Sequence, residues 1–447
     1  MQFRLIIPVW LLLIPFILPQ QFNRTDEFHH KTINDGLADN TVYAIWQDEL
    51  GFMWFGSEGG LNQYDGYSFF VHRADPDHAD RLQNNNIGDI ICYENKLWLA
   101  TWGGGLNVYD RKKGAFYHYK NSKSDPGSLG HDRVQSLFVD KSGTLWVGTA
   151  GGGLNRYNKL SNNFTRYQHN PDDASSVSDN RIWGITQDAQ GNIWVATRRG
   201  VNRFLPSLGK FEHFIFDPKD TQFSGANFAR TIYTDYKGTI WVGTERGIYF
   251  KSTGRSSFQR YDLVPDVNNL AINRLLVTLD DVLLIGTASE GLFYYDQRNQ
   301  ILKHYIAEPG SESKLGSNDI RNIFKDSFGN YWIGTRDGGL SITRFQPPKL
   351  KLLTQDFQTK SSLPDNHIRT LFPTLDALYV GTGNNGLARL SPSTNIIEHI
   401  YGRRSLDDPE RRVLAQTMNS KGELLFATRA GLRALNPINN HISTLII

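Results

Sequence analysis

Arginine and tryptophan recur at matched places along this chain. One set opens apolar, strand-like runs: Arg133, Arg181, Arg230, Arg274, Arg321 and Arg369, with Trp183. A second set falls in the loops after runs such as LWVGT: Arg198, Arg199, Glu245, Arg246, Arg336, Asp337 and Arg429, with Trp102 and Glu58. A guanidinium is a planar, forked donor that suits carboxylates and sulfates. Indole faces suit sugar rings. If both sets share one face, they make a basic, aromatic-lined funnel. The matching ligand is a small molecule or oligosaccharide, with anionic sugars the best-suited class. Asp132, Asp179 and Asp319 lie close enough in sequence to neutralise several of these arginines.

Catalytic signatures are sparse. The 12 histidines are scattered, and the pair His29–His30 falls in an expected outer strand. Neither H-E-x-x-H nor G-x-S-x-G occurs. Glu58, Glu245 and Glu290 hold equivalent loop positions and form the one candidate acid set. No metal or cofactor site is expected, and no catalytic residue is assigned. The triple glycine in LWVGTAGGGLNRYN (145–158) suggests a phosphate loop, but the Lys-Ser/Thr pair that such a loop needs is missing.

That stretch recurs, which explains its glycines. Nine copies lead with Trp54, Trp98, Trp146, Trp194, Trp241, Leu284, Trp332, Tyr379 and Leu425, spaced 43 to 48 residues apart. Short strands at this period indicate β-propeller blades. One unit reads as inner strand RVQSLFVD, turn DKSG, strand TLWVGT, loop AGGG, strand LNRYN and outer strand NFTRYQHN. The Asp-x-x-Gly turn returns at Asp48–Gly51, Asp188–Gly191, Asp235–Gly238 and Asp326–Gly329. Asp bonds its own backbone there and Gly accepts positive φ. The leading tryptophans are expected between blades. The fold class is therefore all-β, a propeller of four-stranded blades.

Bulk properties agree. The chain has 447 residues, 41 of them glycine, and 12% are aromatic. A net charge of +3 without charged tails gives no sign of nucleic-acid binding. A single cysteine, Cys92, permits no internal disulfide. Leu5–Leu18 is an apolar run behind Arg4, shorter than the roughly 20 residues of a membrane span, so 1–22 reads as a signal peptide or N-terminal anchor.

DGLADNTVYAIWQDELGFMWFGSEGGLNQYDG (35–66) resembles the two-component regulator propeller repeat. The match is dense there and around Trp146, Trp194 and Trp332, and loosens where Leu284, Tyr379 and Leu425 replace the tryptophan. The resemblance implies a ligand-sensing input region in the periplasm, or on the outer face of the inner membrane. It implies two seven-bladed rings, an immunoglobulin-like domain, a membrane span and an output similar to a hybrid histidine kinase or a diguanylate cyclase, with the cyclase slightly favoured. Membrane attachment would come through a C-terminal segment beyond these residues, and a homodimer is expected for the full-length protein.

Nine repeats then divide as seven plus two. FQPPKL (345–350) is the most linker-like break, giving a first ring at 23–347 and two blades of a second, incomplete ring at 348–447. Glu27–Ile33 should close the first ring as the outer strand of its seventh blade, and Lys349–Thr354 should do the same for the second. A single nine-bladed ring is the rival arrangement. The alternative functions are a propeller-fold polysaccharide or streptogramin-type lyase and an envelope protein-interaction scaffold.

Overall fold

The computed structural model describes residues 27–262, 267–308, 310–311, 313–345, 353–355, 361–374, 376–391, 396–402 and 412–446. The signal or anchor expected at 1–22 lies outside them, as does most of the strand expected at Lys349–Thr354. Among the described residues, no helix is long and apolar enough to cross a membrane.

The strands pair into nine four-stranded antiparallel sheets. Within the third blade, Val134–Val139, Leu145–Thr149, Leu154–Asn158 and Asn163–Tyr167 follow in chain order. The second strand is buried along its whole length because both its faces meet neighbouring blades. The Asp-x-x-Gly turn does more than reverse the chain. Asp188 Oδ1 accepts the backbone N–H groups of Gln190 and Asn192, and its Oδ2 accepts the Trp194 indole N–H at 2.8 Å. The same aspartate-to-indole bond joins Asp48 to Trp54, Asp140 to Trp146, Asp235 to Trp241 and Asp326 to Trp332. Each indole is thus buried with its one polar atom satisfied. The second blade lacks the aspartate. There Trp98 donates to the Tyr93 carbonyl, across a turn with Glu94 and Asn95 at positive φ.

The chain divides into two compact units, 1–346 and 347–447. In the first, inner strands of neighbouring blades abut in order, and the seventh, Ile320–Lys325, abuts the first, Val42–Gln47. The ring of seven is therefore closed. His29–Lys31 completes the seventh sheet, with His29, His30 and Lys31 opposite Ile342, Ser341 and Leu340. Asn322 Nδ2 donates to the Tyr43 carbonyl at 2.8 Å, and Ser327 N to Gln47 Oε1 at 2.7 Å, across the same seam. The second unit holds two sheets, beginning with Ile368–Pro373 and Val413–Met418, whose inner strands also abut. Its core gathers Tyr379, Leu387, Leu424, Phe426 and Leu435.

The glycines of the opening motif have mechanical reasons. A Cβ on Gly153, at φ +71°, would sit 2.1 Å from the Tyr167 carbonyl oxygen. Gly153→Ala should therefore cost about 1–3 kcal/mol of stability. Chemical denaturation would measure this, and a cost near zero would contradict the close approach.

Candidate functional site

All nine inner strands carry a bulge just after their first apolar residue, which is buried in eight of them, for example between Val134 and Ser136. A bulge leaves a residue unpaired and re-aims it. In the first ring the residues at that step are Tyr43, Gly88, Gln135, Trp183, Arg230, Asn273 and Arg321, and all seven line one cavity of about 680 Å³. The next residues inward include Asp89, Ser136, Thr231, Arg274 and Asn322, which line the same cavity. Deeper still stand Trp46, Ile91, Phe138, Thr186, Tyr233 and Phe324. The channel thus passes from a polar rim to a largely aromatic floor.

The rim is held firmly. Buried Asn62, Asn107, Asn155 and Asn202 accept, through Oδ1, backbone N–H groups of the incoming crossings at Ala38, Gln83, Gly130 and Ser178. Hydroxyls of Thr149, Thr197, Thr244 and Thr335 donate to the last carbonyl of each second-to-third-strand loop. These bonds fix the loops from which rim side chains project.

Of the expected residues, the structure places Trp102, Trp183, Arg230, Arg274 and Arg321 on the channel wall, with Glu58 beside them. Arg230 pairs with Glu245 at 2.5 Å, and Arg321 with Asp319 at 2.6 Å. Arg336 stands 4.0 Å from the same Asp319. Arg133 lies over the Trp102 ring, 4.7 Å from its centre. Arg199 lies over Phe223. Arg181, Arg198, Arg246 and Asp337 are exposed and are not on the channel wall. Arg369 and Arg429 stand in the second unit. Of the acid set only Glu58 lines the channel, where it accepts the Tyr43 hydroxyl; Glu245 pairs with Arg230, and neither it nor Glu290 is on the channel wall.

Tyr43, Asp89, Gln135, Asn273 and Asn322 were not among the expected residues, nor was the aromatic floor. Burial and the bond to Glu58 push the Tyr43 phenol up to about 12. Burial raises Asp89 to about 6, against two backbone N–H bonds and Arg274, which pull it down. Arg274 is open to channel water but flanked by protein, and that burial lowers its pKa. Among the described residues, it makes no ion pair and no side-chain hydrogen bond. Five polar atoms on residues of the channel wall are themselves buried without a hydrogen-bond partner: Trp46 Nε1, Gln135 Oε1, Trp183 Nε1, Arg321 Nε and Asn322 Oδ1. Buried polar atoms without partners are uncommon.

A family model described as the two component regulator propeller matches residues 128–151, 176–199, 224–246 and 314–337. Each match spans part of a crossing, an inner strand and the whole of a second strand. Histidine kinase P4 of Formosa agariphila is 38% identical over 48 residues, 11% of this chain and 4% of that protein. The fold is similar to the extracellular domain of the hybrid two-component system BT3049 from B. thetaiotaomicron. The TM-score is 0.64 and the identity 25%, over 94% of this chain and 54% of that one. It is also similar to the extracellular domain of BT4673 from the same organism, at 24% identity and TM-score 0.59, over 94% and 53%. The chain thus spans about half the length of these solved relatives. Virginiamycin B lyase from Staphylococcus aureus shares the fold, at 13% identity and TM-score 0.53, over 72% of this chain and 99% of the lyase.

Proposed function

This chain carries two-component regulator propeller repeats, and on that premise we propose that its first ring is the ligand-sensing part of a membrane signalling protein. The sensing face would lie in the periplasm, or on the outer face of the inner membrane. The ligand is a small molecule or oligosaccharide with an anionic group, held at the channel mouth. The observation that carries this reading is Arg274, an unpaired guanidinium inside a preformed cavity whose neighbours include unsatisfied polar atoms. Trp183 and Trp102 line the same cavity from other blades. Arg133, Arg181, Arg198, Arg199 and Arg246 add positive charge at the ends of the strands around the same face, which would steer anions towards it.

The names of the matched relatives favour a histidine kinase or hybrid two-component output over a diguanylate cyclase. Ligand binding would act by shifting an equilibrium between two arrangements of a dimeric receptor, by no more than its differential affinity for them. The lyase likeness carries less weight, because it rests on fold at 13% identity. Among the described residues, the channel wall bears no histidine.

Thermal unfolding of the purified chain against uronate and sulfated oligosaccharides tests the reading. A ligand raises the midpoint by mass action. Arg274→Gln should weaken the affected ligand about ten- to a hundredfold, the worth of a charge-assisted hydrogen bond. Binding left intact by that substitution would overturn Arg274 as the anchor.

A further inference from the structure

Asp89 and Arg274 belong to the second and sixth blades of a closed ring of seven, so they face each other across its axis. Each feels the other's charge, yet no ion pair joins them. Asp89 is fixed in place: Oδ1 accepts the Ile90 N–H at 2.9 Å and Oδ2 the Leu137 N–H at 2.8 Å. Each oxygen keeps a further lone pair for the channel. Arg274 keeps its full fork of donors.

A purely anionic group held by Arg274 would face the Asp89 carboxylate with nothing to balance it, whereas a group carrying both charges would satisfy both side chains. The cavity, about 680 Å³, falls within the range that holds compact ligands.

We propose that the inner layer of this channel selects a zwitterionic ligand group, its anion on Arg274 and its ammonium on Asp89, as in an acidic amino sugar. This rests on the sensor reading and narrows its ligand class. Asp89 is already fixed by two backbone bonds, so the cationic pole of the ligand meets a preformed site.

Calorimetric titration of the full chain at neutral pH with glucosamine 6-sulfate and glucose 6-sulfate tests it. The two probes share the anion, and only the first carries the cation. The expected result is tighter binding of glucosamine 6-sulfate by at least about tenfold. Asp89→Asn should erase that preference, and Arg274→Gln should weaken both sugars. The comparison on the unaltered chain stands even if Asp89→Asn fails to fold. Equal binding of the two sulfates, lost in Arg274→Gln, would overturn the zwitterion and leave the sensor reading in place. Failure of both sulfates to bind would overturn the zwitterion and the anion anchor together.

Discussion

Replacing Phe28 with alanine should cost the first ring about 3–5 kcal/mol, the usual price of emptying a buried phenylalanine site. Phe28 is 2% exposed, although it stands near the start of the described chain. It packs with Leu284, Leu292, Leu315 and Ile333, and meets Tyr305 edge-on at 5.4 Å. Its N–H donates to the Ser313 carbonyl, and the Thr343 hydroxyl donates to the Glu27 carbonyl at 2.8 Å. These contacts anchor His29–Lys31 as the outer strand of the last blade, so one segment ties both ends of the ring together. Closure removes the exposed strand edge that an open ring would offer. Phe28→Leu keeps most of the volume and should cost less than about 1.5 kcal/mol. Every tryptophan among the described residues lies in the first ring, so, with Trp10 replaced by phenylalanine, indole fluorescence during denaturation reports that ring. A cost below about 1 kcal/mol for Phe28→Ala would mean that the strap does not hold the ring closed.

The second large effect concerns the aspartate beneath each indole. Asp188→Ala leaves Trp194 Nε1 unpaired in a fully buried site and strips two turn N–H groups of their acceptor. A buried donor without a partner costs about 1–3 kcal/mol, and the turn bonds add to it. A total near 3 kcal/mol is expected. Asp188→Asn should not rescue it fully, because whichever amide atom faces the indole, the other no longer serves the second set of donors. The discriminating measurement is the double substitution Asp188→Ala with Trp194→Phe. Phenylalanine has no N–H to orphan, so the pair should cost less than the sum of the singles. Strict additivity would mean that the indole bond contributes nothing.

Much of this architecture is legible in the amino-acid sequence. The period of 43 to 48 residues and the recurring W-x-G-T run give nine blades, and the structure has nine four-stranded sheets. The likeness of 27–33 to an outer strand foretells the pairing of His29–Lys31 with Leu340–Thr343. The Asp-to-Trp bond was also within reach, since six residues separate the two in five blades.

The channel was less legible, for a physical reason. The six inner-strand arginines look equivalent in sequence, yet they fall in three registers. Arg133 and Arg181 precede the first apolar residue of the strand, Arg230, Arg321 and Arg369 follow it, and Arg274 lies one step further. The bulge at that point breaks the two-residue alternation, so simple strand parity gives the wrong facing. Hydrophobic pattern carries no mark of a bulge. Asp89 and Gln135 were missed for the same reason, and Tyr43 reads as one more aromatic strand residue until its contact with Glu58 is seen.

The central claim is that the rim and inner layer of the first ring form the sensing site. Amide hydrogen exchange on the full chain, with and without a ligand that raises its unfolding midpoint, tests this most directly. Slowed exchange is expected in the first ring at the inner-strand starts around 182–185, 229–232, 272–275 and 320–323, and in the loops near Trp102 and Glu245. Protection confined to 347–447, or to the Asp-x-x-Gly turns at the other end of the strands, would contradict the claim and move the site elsewhere.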